Sequence, residues 1–277
     1  MRVRHLKRAA FVLLSCALVL GAAEWIPARE APPQAALPDV YVYEGYAVST
    51  GAGFDRKSLD YAAQKFRQLY DSYLTGNAGH IYLSVIPDKG SFTTPPEGYV
   101  PASAQETAEA LLAQLDFVQY ADIAPGLSLA DYYRTDPHWR QECLIATAQT
   151  LARDMGVPPA GDFRENTVDV PFYGTYADKA EEPLAADTLR YLTSDVLDAC
   201  TVYDYETEAQ EPLYDLSAVD TDTPYDLYLQ GSRSLLRIDS PLAATDKTLV
   251  VFRDSFGSSL IPLLSESYRT IYAVDIR

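Results

Sequence analysis

The chain has 277 residues, of which 48% are hydrophobic, so it can bury a sizeable core and global disorder is excluded. Its formal net charge is −17; past residue 24 the rest carries 18 basic against 38 acidic residues, net −20. Such a surface repels nucleic-acid phosphates and anionic lipid but not neutral sugars. Tyrosine is abundant, at 21 against 9 phenylalanines, which suits either sugar-binding surfaces or a β-rich core.

The chain opens on basic MRVRHLKR, then fifteen uncharged residues, AAFVLLSCALVLGAA, then Glu24. That layout reads as an export signal over residues 1–27. An uncleaved anchor with membrane contact is the other reading, with Trp25 and Ile26 extending the apolar run. Export would put the body outside the cytoplasm, where Cys143 and Cys200 would either pair or stay as two buried thiols. Residues 28–38, rich in Pro and Ala, read as a linker.

From residue 39 the patterns alternate. DVYVYEGYAVS reads as strand, residues 56–74 as helix, HIYLSVIPDKG as a buried strand and turn, 103–115 as helix and DFVQYADI as strand. This order predicts an α/β domain over 39–277 with a parallel sheet and covering helices. A helix is predicted to begin at Asp136-Pro137-His138-Trp139, with Pro137 in its first position and Asp136 or Thr135 at the cap. Residues of about 160–232, rich in Tyr, Asp, Glu, Thr and Pro, read as an inserted irregular region with short strands outside the main sheet. The sheet resumes with TLVVF, a helix from about 258, and TIYAVDI. Because the sequence stops one residue later, at Arg277, that last strand is expected to show a poorly covered face or an open edge, in a chain incomplete at its C-terminus.

Two stretches carry chemistry. YYRTDPHWR, residues 132–140, holds His138 beside Asp136, off the apolar stripe of the expected helix, with Glu142 on the same side. A histidine next to a carboxylate is a base with its orienting acid; the competing reading is that Asp136 only caps a helix. The chain has just three histidines, and His5 lies in the basic leader, so His80 is the sole rival; it opens an apolar strand and reads as structural. In LVVFRDSFGSS, Ser255 follows a buried strand and precedes a helix, where α/β proteins place their sites and where helix N–H groups favour an oxyanion. Capping by Ser255 and Ser258 is the plain alternative. No metal-ligand spacing, phosphate loop or dinucleotide fingerprint appears, so no cofactor and no metal is expected.

YYRTDPHW together with LVVFRDSFGSSLIPLLSESYRTIYAVDIR resembles the bacterial family named for an Asp-His-His-Trp motif, DHHW, related to alginate O-acetyltransferase-like proteins of SGNH-hydrolase type. VIPDK at 85–89, FYGT at 172–175 and YLQGSRSLLRI at 228–238 agree, and the likeness runs from about residue 39 to the end. One departure is visible: the family's second motif residue is Pro137 here. The resemblance implies a flavodoxin-like SGNH fold and a serine acyl-ester enzyme, with Ser255 as nucleophile, His138 as base and Asp136 as its orienter. By analogy Gly231 would lend an oxyanion N–H, and Tyr133, Trp139 and Arg277 would lie on the substrate side. The implied activity is O-acetyl transfer to, or removal from, a cell-surface or secreted polysaccharide, with a membrane-bound O-acyltransferase as partner. The alternative is a non-catalytic glycan-binding or scaffold protein of the cell envelope.

Overall fold

The computed structural model describes residues 10–16, 38–51, 53–76, 78–159 and 161–276. The strands are β1 (Ala10–Cys16), β2 (Val40–Tyr43), β3 (Tyr46–Ser49), β4 (Ala78–Val85), β5 (Gln119–Tyr120), β6 (Arg164–Phe172), β7 (Asp187–Thr193), β8 (Thr201–Asp204), β9 (Ala209–Glu211), β10 (Leu235–Asp239), β11 (Thr248–Arg253) and β12 (Thr270–Asp275). The α-helices are α1 (Arg56–Leu69), α2 (Ala104–Leu112), α3 (Ile145–Asp154), the single turn α4 (Asp195–Asp198) and α5 (Phe256–Leu264).

An eight-stranded sheet in the order β5-β4-β1-β11-β12-β10-β8-β9 organises the molecule. The first five positions run parallel to one another. From β12 outward the pairing turns antiparallel, through β10, β8 and β9. The sheet is therefore mixed, which corrects the wholly parallel, flavodoxin-like expectation. The break falls at β10, which runs opposite to both its neighbours, β12 and β8; beyond it a tight turn joins β8 to β9, and a short connection can only return the chain antiparallel. Two further expectations change with it. The segment 160–232 supplies β8 and β9 to the main sheet, and only the β6–β7 hairpin stands apart. The edge of β12 is covered by β10 rather than open, while on its outer face Tyr272 and Val274 are half-buried and Ile276, just past its end, is exposed.

DVYVYEGYAVS is not a strand of that sheet. It folds as a hairpin, β2–β3, whose two-residue turn takes Glu44 at φ 48° and Gly45 at φ 80°. Positive φ at both turn positions matches the right-handed twist of the flanking strands, and Gly45 adopts it without cost. The helix expected from residue 56 forms as α1, capped by the Asp55 carboxylate on Lys57 and Ser58 N–H, and buries Leu59, Ala63 and Phe66. That face joins α2 and β4 in one apolar layer. α3 and α5 pack into the other, with Leu151, Leu260 and Leu263 against Leu249, Val251 and Ile271 of the sheet. Two layers on one sheet leave the carboxyl ends of β4 and β11 as the open edge on which a site can be built.

Of residues 1–27, read as signal or anchor, the structure describes Ala10–Cys16, the strand between β4 and β11; the others lie outside the described residues, as does Arg277. Among the described residues no helix is long and apolar enough to cross a membrane.

Candidate active site

YYRTDPHWR does not start a helix. Tyr132 and Trp139 pair as an isolated antiparallel bridge, Tyr133 N–H donates to the His138 carbonyl at 3.0 Å, and Arg140 N–H donates to the Asp131 carbonyl at 2.7 Å. The stretch is thus a β-like turn with Arg134–Pro137 at its tip, and α3 begins only at Ile145. Two features override the helical pattern. Pro137 disfavours helical geometry at Asp136. Tyr132, Tyr133 and Trp139, all essentially inaccessible, pin both arms of the turn in the core.

The tip aims its two chemical residues. Asp136 Oδ1 accepts the backbone N–H of His138 at 3.1 Å, a local turn that swings the ring back over the carboxylate. His138 Nδ1 then lies 2.5 Å from the same Oδ1, and Nε2 lies 2.7 Å from Ser255 Oγ. The ring is held between two others: Tyr225 stacks on it at 3.9 Å between centroids and 10° between planes, and Phe256 covers it at 4.8 Å. Burial alone would raise the Asp136 carboxyl. The His138 hydrogen bond and charge, with the Thr175 N–H, outweigh it and draw the carboxyl down to about 2.

Asp136 is seated from below and behind. The Lys89 ammonium, 1% exposed, donates to the carbonyls of Tyr133 at 3.0 Å and Asp136 at 2.9 Å, with that of Arg134 at 3.4 Å. Desolvation lowers the Lys89 ammonium to about 8, against the pull of Asp136, Asp88 and Asp187. The Asp187 carboxylate takes the N–H groups of Arg134 and Thr135, both at 2.9 Å. Thr175 gives its N–H and hydroxyl to Asp136 Oδ2 at 3.1 and 3.0 Å. Gly174 must be glycine, because a Cβ there would collide with the Asp136 side chain.

Ser255 sits between β11 and α5, at the carboxyl end of a parallel strand. The Arg253 guanidinium beneath it is fully buried. It donates to Ser258 Oγ at 2.7 Å and to the Gly231 carbonyl at 2.9 Å, and pairs with Asp275 at 3.4 Å. A Cβ added at Gly257 would lie 2.6 Å from the Arg253 Cβ, too close to be tolerated. Asp254 takes the Phe256 N–H on its carboxylate at 3.0 Å and the Gly257 N–H on its carbonyl. Two helix N–H groups read as oxyanion donors are therefore already engaged.

The structure brings Asp136, His138 and Ser255 together at the floor of a cleft of about 920 Å³, with Gly231 on its wall. Gly231 gives its N–H to the Tyr228 carbonyl at 3.2 Å, closing a left-handed turn at φ 67°, which corrects its assignment as oxyanion donor. Tyr133 and Trp139 are not on the substrate side. Tyr133 is buried among Phe172, Tyr225 and Tyr228. The Trp139 indole N–H donates to the Phe256 carbonyl and Ser259 Oγ, both 3.0 Å, tying the motif turn to α5. His80 is exposed on β4 and is not among the residues lining the cleft. Glu142 pairs with Arg140 and Arg190 rather than with His138. Cys143 and Cys200 are free thiols, the unpaired of the two alternatives. Sequence reasoning missed Lys89, Gly174 and Thr175 as supports, although VIPDK and FYGT flagged their segments. Asp187 and Tyr225 gave no local signal.

The fold of this chain recurs among known proteins. Among solved structures it superposes on a DHHW family protein from Eubacterium siraeum with a TM-score of 0.64 and 21% identity, over 85% of this chain and 81% of that one. The chain has the fold of a DHHW family protein. Bacillus cereus PatB1 superposes at 0.67 and 17% identity, over 86% and 87% of the two chains, and PatB1 with a sulfonyl adduct at 0.66. The O-acetyltransferase domain of Pseudomonas putida AlgJ gives 0.49 at 16% identity, over 86% and 80%. No family model matches the sequence, and no curated protein does.

Proposed function

We propose that this protein is a serine acyl-ester enzyme that moves an acetyl group through an acetyl-Ser255 intermediate, with a glycan hydroxyl or water as acceptor. The observation that carries the reading is the unbroken chain Asp136 Oδ1–His138–Ser255 Oγ, at 2.5 and 2.7 Å, opening into one cleft. His138 Nε2 takes the Ser255 proton as Oγ bonds to the acyl carbon. The C–O bond to the leaving alkoxide then breaks, and His138 returns the proton to that oxygen. In the second half an acceptor hydroxyl gives its proton to His138 and attacks the acyl carbon; the bond from that carbon to Ser255 Oγ then breaks, and His138 returns the proton to Oγ. Asp136 stays ionised and stabilises the imidazolium. With Phe256, Gly257 and Gly231 N–H groups engaged, the Ser255 N–H is the oxyanion donor we assign.

The fold shared with PatB1, which has been seen with a sulfonyl adduct, supports the reading, since sulfonyl reagents modify activated hydroxyls. We further propose action on an exported polysaccharide, outside the cytoplasm, with acetyl delivered by a membrane-bound acyltransferase; its support is the basic-then-apolar order of residues 1–23 in the sequence, of which Ala10–Cys16 also pairs between β4 and β11. A fluorophosphonate probe tests the core of this. It should label the wild type at Ser255, while Ser255→Ala and His138→Ala abolish labelling and lower turnover of a small acetyl ester by about 10⁴-fold, the double variant losing little more. An unlabelled wild type would instead mark a glycan-binding scaffold.

A further inference from the structure

The proposed function leaves the acceptor's charge open, and the cleft walls address it. One wall is the end of β6 and its turn, Val170–Thr175 with Asp178; the other is the loop Val219–Asp226. Four carboxylates line these walls: Asp178, Asp220, Asp222 and Asp226. Apart from His138 at the floor, no basic side chain among the described residues lines the cleft. None of the four aspartates is in an ion pair among the described residues. Lys179, next to Asp178 in sequence, turns toward the Tyr176 ring instead, at 5.8 Å from its centroid. Asp178, Asp220 and Asp222 are exposed, whereas Asp226 is half-buried against Gly231, in the wall next to Ser232 and Ser255. A cleft with walls of one sign focuses its field on whatever enters. The same walls carry an aromatic lip: Tyr173 lines the cleft yet leaves 57% of its surface exposed, with Pro171 and Pro224 beside it. An exposed tyrosine is a platform for the apolar face of a sugar ring.

We infer that the acceptor is a glycan bearing free amines, a hexosamine polymer, and that Asp178, Asp220, Asp222 and Asp226 select it over polyuronates. The inference rests on Ser255 being the acyl-carrying nucleophile. A protonated sugar amine gains from each wall carboxylate, a neutral N-acetylated sugar is indifferent, and a uronate is repelled four times over. Tyr173 then seats the ring whose hydroxyl reaches the acetyl-serine.

The test uses the whole protein, a small acetyl ester as donor, and three acceptors of matched length: glucosamine oligomers, their N-acetylated forms and oligouronates. At about 10 mM ionic strength, where the Debye length is about 30 Å, kcat/KM should favour the glucosamine oligomer over the oligouronate by about tenfold or more. At about 1 M, where it shrinks to about 3 Å, the ratio should approach one. The exposed pair Asp220→Asn with Asp222→Asn should lower the low-salt ratio by about threefold, and Tyr173→Ala should raise KM for both sugars alike. Equal rates for amine-bearing and uronate acceptors at low salt, or a ratio that ignores salt, would overturn the inference while Ser255 still labels with fluorophosphonate. Failure to label and to turn over the ester at all would sink the catalytic reading instead.

Discussion

The ammonium of Lys89 lies 2.9 Å from the carbonyl oxygen of Asp136, in a place closed to water. The same ammonium holds the carbonyl of Tyr133, so one side chain of the VIPDK segment fixes the turn that carries the acid and the histidine. Lys89→Met should leave these carbonyls without a donor. We expect a stability loss of about 2–4 kcal/mol by urea unfolding. Where the variant remains folded, fluorophosphonate labelling should slow by about a hundredfold. A variant that keeps both wild-type stability and labelling would show that the lysine merely fills space.

Gly174 leaves no room for a methyl group beside Asp136. Gly174→Ala should push the carboxylate away from His138, with ester turnover lower by about a hundredfold. Thr175→Val, which removes only the 3.0 Å hydroxyl contact and keeps the backbone one, should cost about tenfold or less. The order of the two effects is the check; the reverse order contradicts the packing.

The Asp136 carboxyl is depressed from 3.8 to about 2 in the folded protein. A depressed acid stabilises the fold above its unfolded value and loses that contribution as the pH falls through its folded one. Between roughly pH 4 and pH 2 the protein should therefore lose about 2 kcal/mol that Asp136→Asn does not lose. Parallel acid titrations of unfolding free energy, wild type against variant, measure the difference.

Cys143 is pushed up to about 11, chiefly by burial, and Cys200 is raised in the same way. Both should resist a disulfide reagent at neutral pH in the native state and react on denaturation. A native protein in which denaturation exposes neither thiol would mean that the two are bridged.

The order of what was legible follows the range of the forces involved. Asp136, His138 and Ser255 stood out because their chemistry is written in short runs, and α1, α2 and β4 because each buries one face with a regular period. The helix expected from Pro137 begins only at Ile145, because Pro137 and the burial of Tyr132, Tyr133 and Trp139 hold the preceding residues in a turn. Tyr133, expected on the substrate side, is instead fully buried, with the Tyr228 hydroxyl 3.3 Å from its own. Lys89 and Asp187 lie 47 and 52 residues from the positions they hold, and nothing local announces such pairings. The antiparallel half of the sheet was invisible because β8, β9 and β10 have 4, 3 and 5 residues, too few for any period to emerge.

The stacking of His138 between Tyr225 and Phe256 carries a further consequence for the rate. An imidazole on an open wall loses rotational freedom each time it lines up with its serine, and the reaction bears that entropy in every cycle. Here a parallel ring 3.9 Å away and a tilted one at 4.8 Å have already removed out-of-plane rotation, during folding. What remains is a small rocking in the ring's own plane, the direction in which a proton must pass from the Ser255 oxygen to a departing alkoxide.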